Sequence, residues 1–280
     1  VQQITLANGT EILLKQTDFK KDQIKFSAFS SGGYSTASFD KLASAKYTED
    51  ILSGADMGDL SVTEKANLYS EDAIDVVPNI TEDSEGMDGY SNNKNLETMF
   101  KLMYLNFTDL RIKQSHVDRF KESKINEYKI DKENPKHQYY LDYRKKIYQN
   151  HPRTQYPTDK FYEQINLIDV QNFYKDRFMD GGDFDFVIVG DFKFEIIEPL
   201  IEKYIGSLPS LDRKDAFVDH GIRISQSKDY IEYIEEDSKK ATVMRIYSKE
   251  FDYKYKEMIK SRLLFNILDK LLFDEVREKD

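Results

Sequence analysis

Apolar and polar positions alternate from the start of the chain. Gln2 to Leu6 reads as a strand, Asn8-Gly9 as a two-residue hairpin turn, and Glu11 to Lys15 as the returning strand. Ile24 to Phe29 alternates again, and Ser30 to Thr36, with Gly32-Gly33, reads as a loop. The pattern then changes period. A helix is predicted from Ser38 to Leu52, stopped near Gly54, and Ser61-Val62-Thr63-Glu64 is a capping box opening a short helix through Leu68. Ala73 to Ile80 is a strand whose Pro78 suits a sheet edge. The polar passage Asp83 to Asn93 holds a short strand around Met87 to Ser91.

Helical periodicity returns in Asn95 to Leu105, Ser115 to Lys129, Lys136 to Tyr148, and Phe161 to Phe178 with a break near Ile168. Phe184 to Gly190 is the most apolar strand, and Phe194 to Ile205 is an amphipathic helix ended by Gly206 and Pro209. Residues 210–220 read as a polar linker. Beyond them Tyr230 to Ile234 and Ala241 to Tyr247 are strands, and Tyr253 to Val276 is a long helix with a seam at Leu264, Ile267, Leu268, Leu271 and Leu272. This order of elements predicts an α+β fold, an antiparallel-rich sheet packed against several helices. One complete domain is expected over 1–211, and the start of a second, similar one over 212–280.

Composition narrows the function classes. Of 280 residues, 41 are Lys or Arg and 51 Asp or Glu, a net charge of −10. No window interleaves basic and aromatic residues as a phosphate-tracking surface does, which argues against nucleic acid. With no cysteine, thiolate metal sites and a cysteine nucleophile are excluded. No apolar run approaches the roughly 20 residues of a membrane span. The start at Val1 and the end within a helical pattern at Asp280 suggest a fragment. Any targeting signal would lie outside it, and the compartment is left open.

Candidate chemistry concentrates on the first long helix. Lys46, Glu49 and Asp50 stand at i, i+3 and i+4 and are expected on one face. Histidines at the first and last of these would make His-x-x-Glu-His, a zinc-peptidase motif, and neither is present. As plain chemistry the face is a lysine-first surface ion pair worth about 0.2–0.5 kcal/mol. His116, His137, His151 and His220 form no i, i+4 pair, and His151, before Pro152-Arg153, reads as a structural loop residue.

The stretches LANGTEILLKQTDF, FSSGG, NLETMFKLMYLNFTDLR, NHPR and FDFVIVGDF…PLIEKYIGSLPSL, in this order, resemble the pitrilysin/insulinase family of zinc metallopeptidases. The resemblance covers residues 1 to about 211. Catalytic domains of that family carry His-x-x-Glu-His and a further glutamate on a later helix. The resemblance implies that Lys46 occupies the first histidine position, Glu49 the glutamate and Asp50 the second histidine, with Glu127, or else Glu122, as the later ligand position. It thereby implies the non-catalytic C-terminal half of a bipartite peptidase. Zinc would be bound outside this chain, and the partners would be the N-terminal catalytic half and a peptide substrate. It also implies a substrate-steadying arginine in the last domain. Arg277 is the candidate, and a helix-terminal cation facing the helix dipole is the alternative. The competing reading of the whole is a peptide- or partner-binding module that kept the fold without catalysis, with a free sheet edge capturing extended segments.

Overall fold

The computed structural model describes residues 1–134, 136–211, 213–227, 246, 248 and 253–277. Contacts group the chain into two compact units, Val1–Arg223 and Ile224–Asp280. The segment read as a linker at 210–220 thus counts with the first unit.

The first unit is built on a six-stranded sheet. Its strands are β1 (Gln2–Thr5), β2 (Glu11–Gln16), β3 (Ile24–Ser31), β5 (Ile74–Ile80), β6 (Ser84–Ser91) and β8 (Asp185–Gly190). They lie in the order β1-β2-β8-β3-β6-β5. Only β2 and β8 run parallel, and every other neighbouring pair is antiparallel. Two short strands that the pattern did not show, β4 (Asp56–Met57) and β7 (Leu110–Arg111), pair separately.

One face of the sheet is dry. Ile12, Leu14, Ile24, Phe26, Ala28, Val76, Met87, Phe186 and Ile188 are buried there. Helices α4 (Leu96–Thr108) and α8 (Leu167–Phe178) add Leu96, Met99, Phe100, Met103, Phe107, Val170, Tyr174 and Phe178 to the same core. The Phe107 ring meets Phe184 edge-on at 5.0 Å, and Tyr174 stacks on Phe178 at 4.5 Å. The fold is therefore the α+β architecture expected, with the helices supplying the second layer.

Three elements differ from the sequence reading. The predicted strand at Met87 to Ser91 is really Ser84–Ser91, paired along its whole length with β3 and β5. Its glycines hid it, and Gly89 is there because Phe26 and Asp75 leave no room. A Cβ at Gly89 would lie 2.2 Å from a Phe26 ring carbon and 2.8 Å from the Asp75 carbonyl. The break in the third charged helical pattern falls earlier, between α7 (Asp159–Glu163) and α8, where Asn166 caps α8 by accepting the Asp169 amide at 2.9 Å. The helix read from Ser38 to Leu52 is likewise discontinuous. It is a 3₁₀ turn at Phe39–Lys41, then α1 (Leu42–Lys46) and α2 (Thr48–Leu52), separated at Tyr47.

The remaining helices of the first unit are α3 (Val62–Glu71), α5 (Gln114–Asp131), α6 (His137–Ile147) and α9 (Phe194–Leu200). The capping box at Ser61 forms as read, with reciprocal bonds between Ser61 and Glu64. In the second unit α10 spans Tyr255–Arg277, and its Leu264, Ile267, Leu268, Leu271 and Leu272 are exposed. The strands read at Tyr230 to Ile234 and Ala241 to Tyr247 lie outside the described residues, Ile246 excepted.

Candidate functional site

The break at Tyr47 decides where the motif side chains go. Tyr47 adopts φ −106° and ψ 12°. Its ring packs 5.5 Å from both Phe120 and Tyr162, with the two tyrosine hydroxyls 3.4 Å apart. Burial and the Tyr162 hydroxyl both push the Tyr47 phenol well above its usual range. Ser44 and Thr48 are buried beside it, where Thr48 donates to the Ser44 carbonyl at 2.8 Å and the Asn166 amide donates to the Ser44 hydroxyl at 3.1 Å. The helix is thus pinned to the start of α8 by small polar residues.

Lys46 closes α1 half-buried. Burial and the nearby Arg144 both lower its pKa, partly offset by Glu82. Glu49, on α2, turns to the sheet and accepts the Ile80 backbone N–H at 2.6 Å. Asp50 is exposed. Glu127, on α5, pairs with Lys124 at 2.8 Å and accepts from Ser123 at 3.2 Å, and the Lys124 contact depresses its pKa. Among the described residues only Glu85, Asp183 and Asp215 bring three potential metal-binding oxygens within 4.8 Å of one another. The donor set at the motif positions does not fit zinc. It offers the Lys46 ammonium, which repels a cation, no imidazole, and two carboxylates, Glu49 and Glu127, that already have partners.

Glu49 has a different role in this geometry. β5 is the last strand of the sheet, and its outward backbone groups belong to Ile74, Val76, Pro78 and Ile80. Pro78 has no N–H to offer. The Ile80 N–H goes to Glu49, and the Val76 carbonyl accepts the Tyr69 hydroxyl at 2.9 Å. Side chains from α2 and α3 therefore occupy two of the groups through which another strand would pair. The sequence reading of a free, peptide-capturing edge does not hold at β5.

A second polar centre was not found from sequence. Glu85, on β6, is fully buried, as are Asp180 and, almost fully, Arg177. One Glu85 oxygen accepts the Gly33 N–H at 2.6 Å, and the other stands 3.5 Å from Arg177. Gly33 has φ +54°, and a Cβ there would meet the Thr81 carbonyl at 2.3 Å, so only glycine delivers this N–H. Arg177 also pairs with Asp215 at 2.9 Å and with Asp176. Burial raises the Glu85 pKa to about 7, with Asp215 and Asp183 adding to it and Gly33 and Arg177 opposing it. The signal was present in the pattern, because Glu85 shares the inward face of β6 with Met87 and a charge there must find a partner.

This centre ties down residues 213–223. The Arg213 N–H donates to Asp180 at 3.0 Å, and its guanidinium reaches Asp176 and Asp215. Lys214 donates to the Gly182 carbonyl at 2.7 Å and the Asp215 N–H to Asp183 at 3.1 Å. Further on, the Val218 N–H donates to the Ser35 hydroxyl at 2.9 Å and the His220 ring bonds the Ser35 carbonyl at 2.7 Å. His151 accepts the Arg153 N–H at Nδ1, so its Nε2 carries the proton donated to the His220 carbonyl at 3.0 Å. His151 is structural, as read. Arg277 ends α10.

Residues 164–280 match the family model of the peptidase M16 inactive domain. The probable zinc protease PqqL of Haemophilus influenzae is 23% identical over 223 residues, covering 78% of this chain and 23% of that protein. The periplasmic protease PqqL of Escherichia coli superposes with a TM-score of 0.67 at 18% identity, over 82% of this chain and 26% of that one. A peptidase M16 inactive domain from Pseudomonas fluorescens superposes at 0.60 and 18% identity, over 76% of this chain and 53% of that one. The chain spans about a quarter of the length of the PqqL proteins it matches. These matches agree with the resemblance drawn from the motifs.

Proposed function

We propose, on the premise that this chain carries an inactive domain of the PqqL-like M16 zinc proteases, that it is the non-catalytic half of a metalloendopeptidase. Its part is to wall and shape the space in which a peptide or small unfolded protein is held. Zinc and the water-activating glutamate belong to a catalytic half elsewhere in the protein. Lys46, Glu49, Asp50 and Glu127 are the degenerate counterparts of that site.

The observation carrying this reading is the Glu49–Ile80 bond. The motif glutamate is committed to a backbone N–H, so it is not poised to take a proton from a metal-bound water. Its neighbour in the motif, Lys46, is a half-buried cation that repels a metal ion. The competing reading, a binding module that captures strands at a free edge, would have to use β1, the other edge strand, because the pairing edge of β5 is interrupted.

The test has two arms. The 280-residue chain, dialysed against zinc and examined by X-ray fluorescence, is expected to retain no stoichiometric metal and to leave a quenched fluorogenic peptide uncut. The full-length protein is expected to cut it. Its activity should vanish on deletion of residues 1–223 and survive Glu49→Gln. Stoichiometric zinc at Lys46, Glu49, Asp50 and Glu127, or a full-length protein indifferent to the deletion, would overturn the proposal.

A further inference from the structure

The outward face of the six-stranded sheet is open. Leu13, Phe29, Val77, Tyr90 and Val187 stand on it with 38–52% of their surface exposed. The strand register sets Val187, Ser27, Asp88 and Val77 side by side in one row, and Val189, Lys25, Tyr90 and Asp75 in the next. Ser27 is the small residue in the middle of these taller neighbours. Over it lies a depression of about 510 Å³, within the range of small-ligand sites.

Val77, Tyr90, Val187 and Val189 supply apolar walls. Asp75 and Asp88 stand on the β5–β6 side and Lys25 on β3, two carboxylates against one ammonium. Among the described residues Asp88 accepts from a neutral partner, the Asn79 amide at 3.1 Å. Asp75 is half-buried, and burial raises its pKa against the opposing Val76 N–H. No cation sits within ion-pairing distance of either carboxylate among the described residues.

We propose that this depression seats a basic side chain of an extended polypeptide. Its aliphatic stem would lie on Val77, Val187 and the Tyr90 ring, and its cationic head between Asp75 and Asp88. The chemistry is that of an amphipathic side chain whose stem buries while its head stays charged and paired. The Tyr90 ring adds a cation–π face, which favours a guanidinium over an ammonium. Lys25 would repel a second positive charge on the β3 side, so the site takes one basic residue flanked by apolar or neutral ones. The inference rests on the reading that a polypeptide passes this domain, and it adds which face meets it and which side chain is read.

The 280-residue chain titrated with a blocked pentapeptide bearing a central arginine between alanines and leucines tests this, read by amide chemical shifts. Shifts are expected at Ser27, Tyr90 and Val187. The Kd should rise about tenfold when arginine is replaced by isosteric, neutral citrulline, and about tenfold in Asp75→Asn and in Asp88→Asn at unchanged Tm. Lys25→Met should tighten binding. Equal affinity for the arginine and citrulline peptides, shifts confined to other surfaces, or no binding up to millimolar peptide would each overturn it. If arginine selectivity fails while deletion of residues 1–223 still abolishes full-length cleavage, the chamber reading stands and the basic-residue seat falls.

Discussion

The Glu49 carboxylate accepts the Ile80 backbone N–H at 2.6 Å, joining α2 to the outermost strand of the sheet. Under the proposed correspondence with the catalytic motif, the glutamate that would act as general base there here satisfies an orphan donor on an edge strand. With Pro78 lacking an N–H and Tyr69 bonded to the Val76 carbonyl, the pairing edge of β5 is interrupted at three places.

Removing that acceptor should open the edge locally. Glu49→Ala leaves the Ile80 N–H unsatisfied and is expected to cost about 1–2 kcal/mol. Glu49→Gln keeps an acceptor oxygen and should cost less. Hydrogen exchange at the Ile80 amide is the direct readout, with a rise in dimer by sedimentation as the second. If that amide exchanges as slowly in Glu49→Ala as in the parent, the bond does not protect the edge.

Much of the fold was legible because the apolar code is local. β3 alternates and β2 and β8 are short apolar runs between turn residues, and Ile12, Leu14, Ile24, Phe26, Phe186 and Ile188 are inside. β6 was only half legible. Its inward positions are Glu85, Met87, Gly89 and Ser91, where packing against Phe26 selects glycine and a buried ion pair selects glutamate. Neither choice reads as hydrophobic. The break at Tyr47 was also illegible, since it depends on rings contributed by Phe120 and Tyr162, far along the chain. For the motif face, residue types alone showed that zinc would lack its imidazoles. Where Glu49 goes instead required the position of Ile80.

The buried cluster around Glu85 makes stability pH-dependent in an unusual direction. Its folded-state pKa, about 7, lies above the 4.5 of an unperturbed glutamate, so between these values the folded state holds a proton that the unfolded state has lost. That contribution is fully present below about pH 4.5 and is lost as pH rises towards 7, a total on the order of 3 kcal/mol. Urea unfolding between pH 5 and 8 should therefore show the parent losing stability relative to Glu85→Gln, which keeps the shape without the titration. A constant difference between the two across that range would refute the assignment.

Gly89 tests the packing argument for β6. Adding a Cβ at 2.2 Å from a Phe26 ring carbon and 2.8 Å from the Asp75 carbonyl forces the ring or the strand to move. Gly89→Ala is expected to destabilise by about 1–3 kcal/mol. Adding Phe26→Leu to Gly89→Ala should recover part of the loss, because the clash is with the ring edge. A double variant whose loss is the plain sum of the two singles would show that the two positions do not compete for this space.

Residues 213–223 carry the last prediction. Arg213 meets Asp176, Asp180 and Asp215 through its guanidinium and its backbone N–H, and Arg177 holds Asp215 from the buried side. Deleting Arg177 strands Glu85 in the interior without its cation, so Arg177→Met should cost about 3–5 kcal/mol and unfold the whole unit more readily. Arg213→Ala removes only the outer contacts. It should leave the core intact and lower the local opening energy of the strap, with little change in Tm. Limited trypsin digestion separates these cases, since Lys214 and Arg223 flank the strap. Cleavage at Lys214 should accelerate about tenfold or more in Arg213→Ala, while cleavage within the sheet stays at the parent rate. Cleavage at Lys214 that is no faster than in the parent would mean that Ser35, Gly182 and Asp183 hold the strap without Arg213.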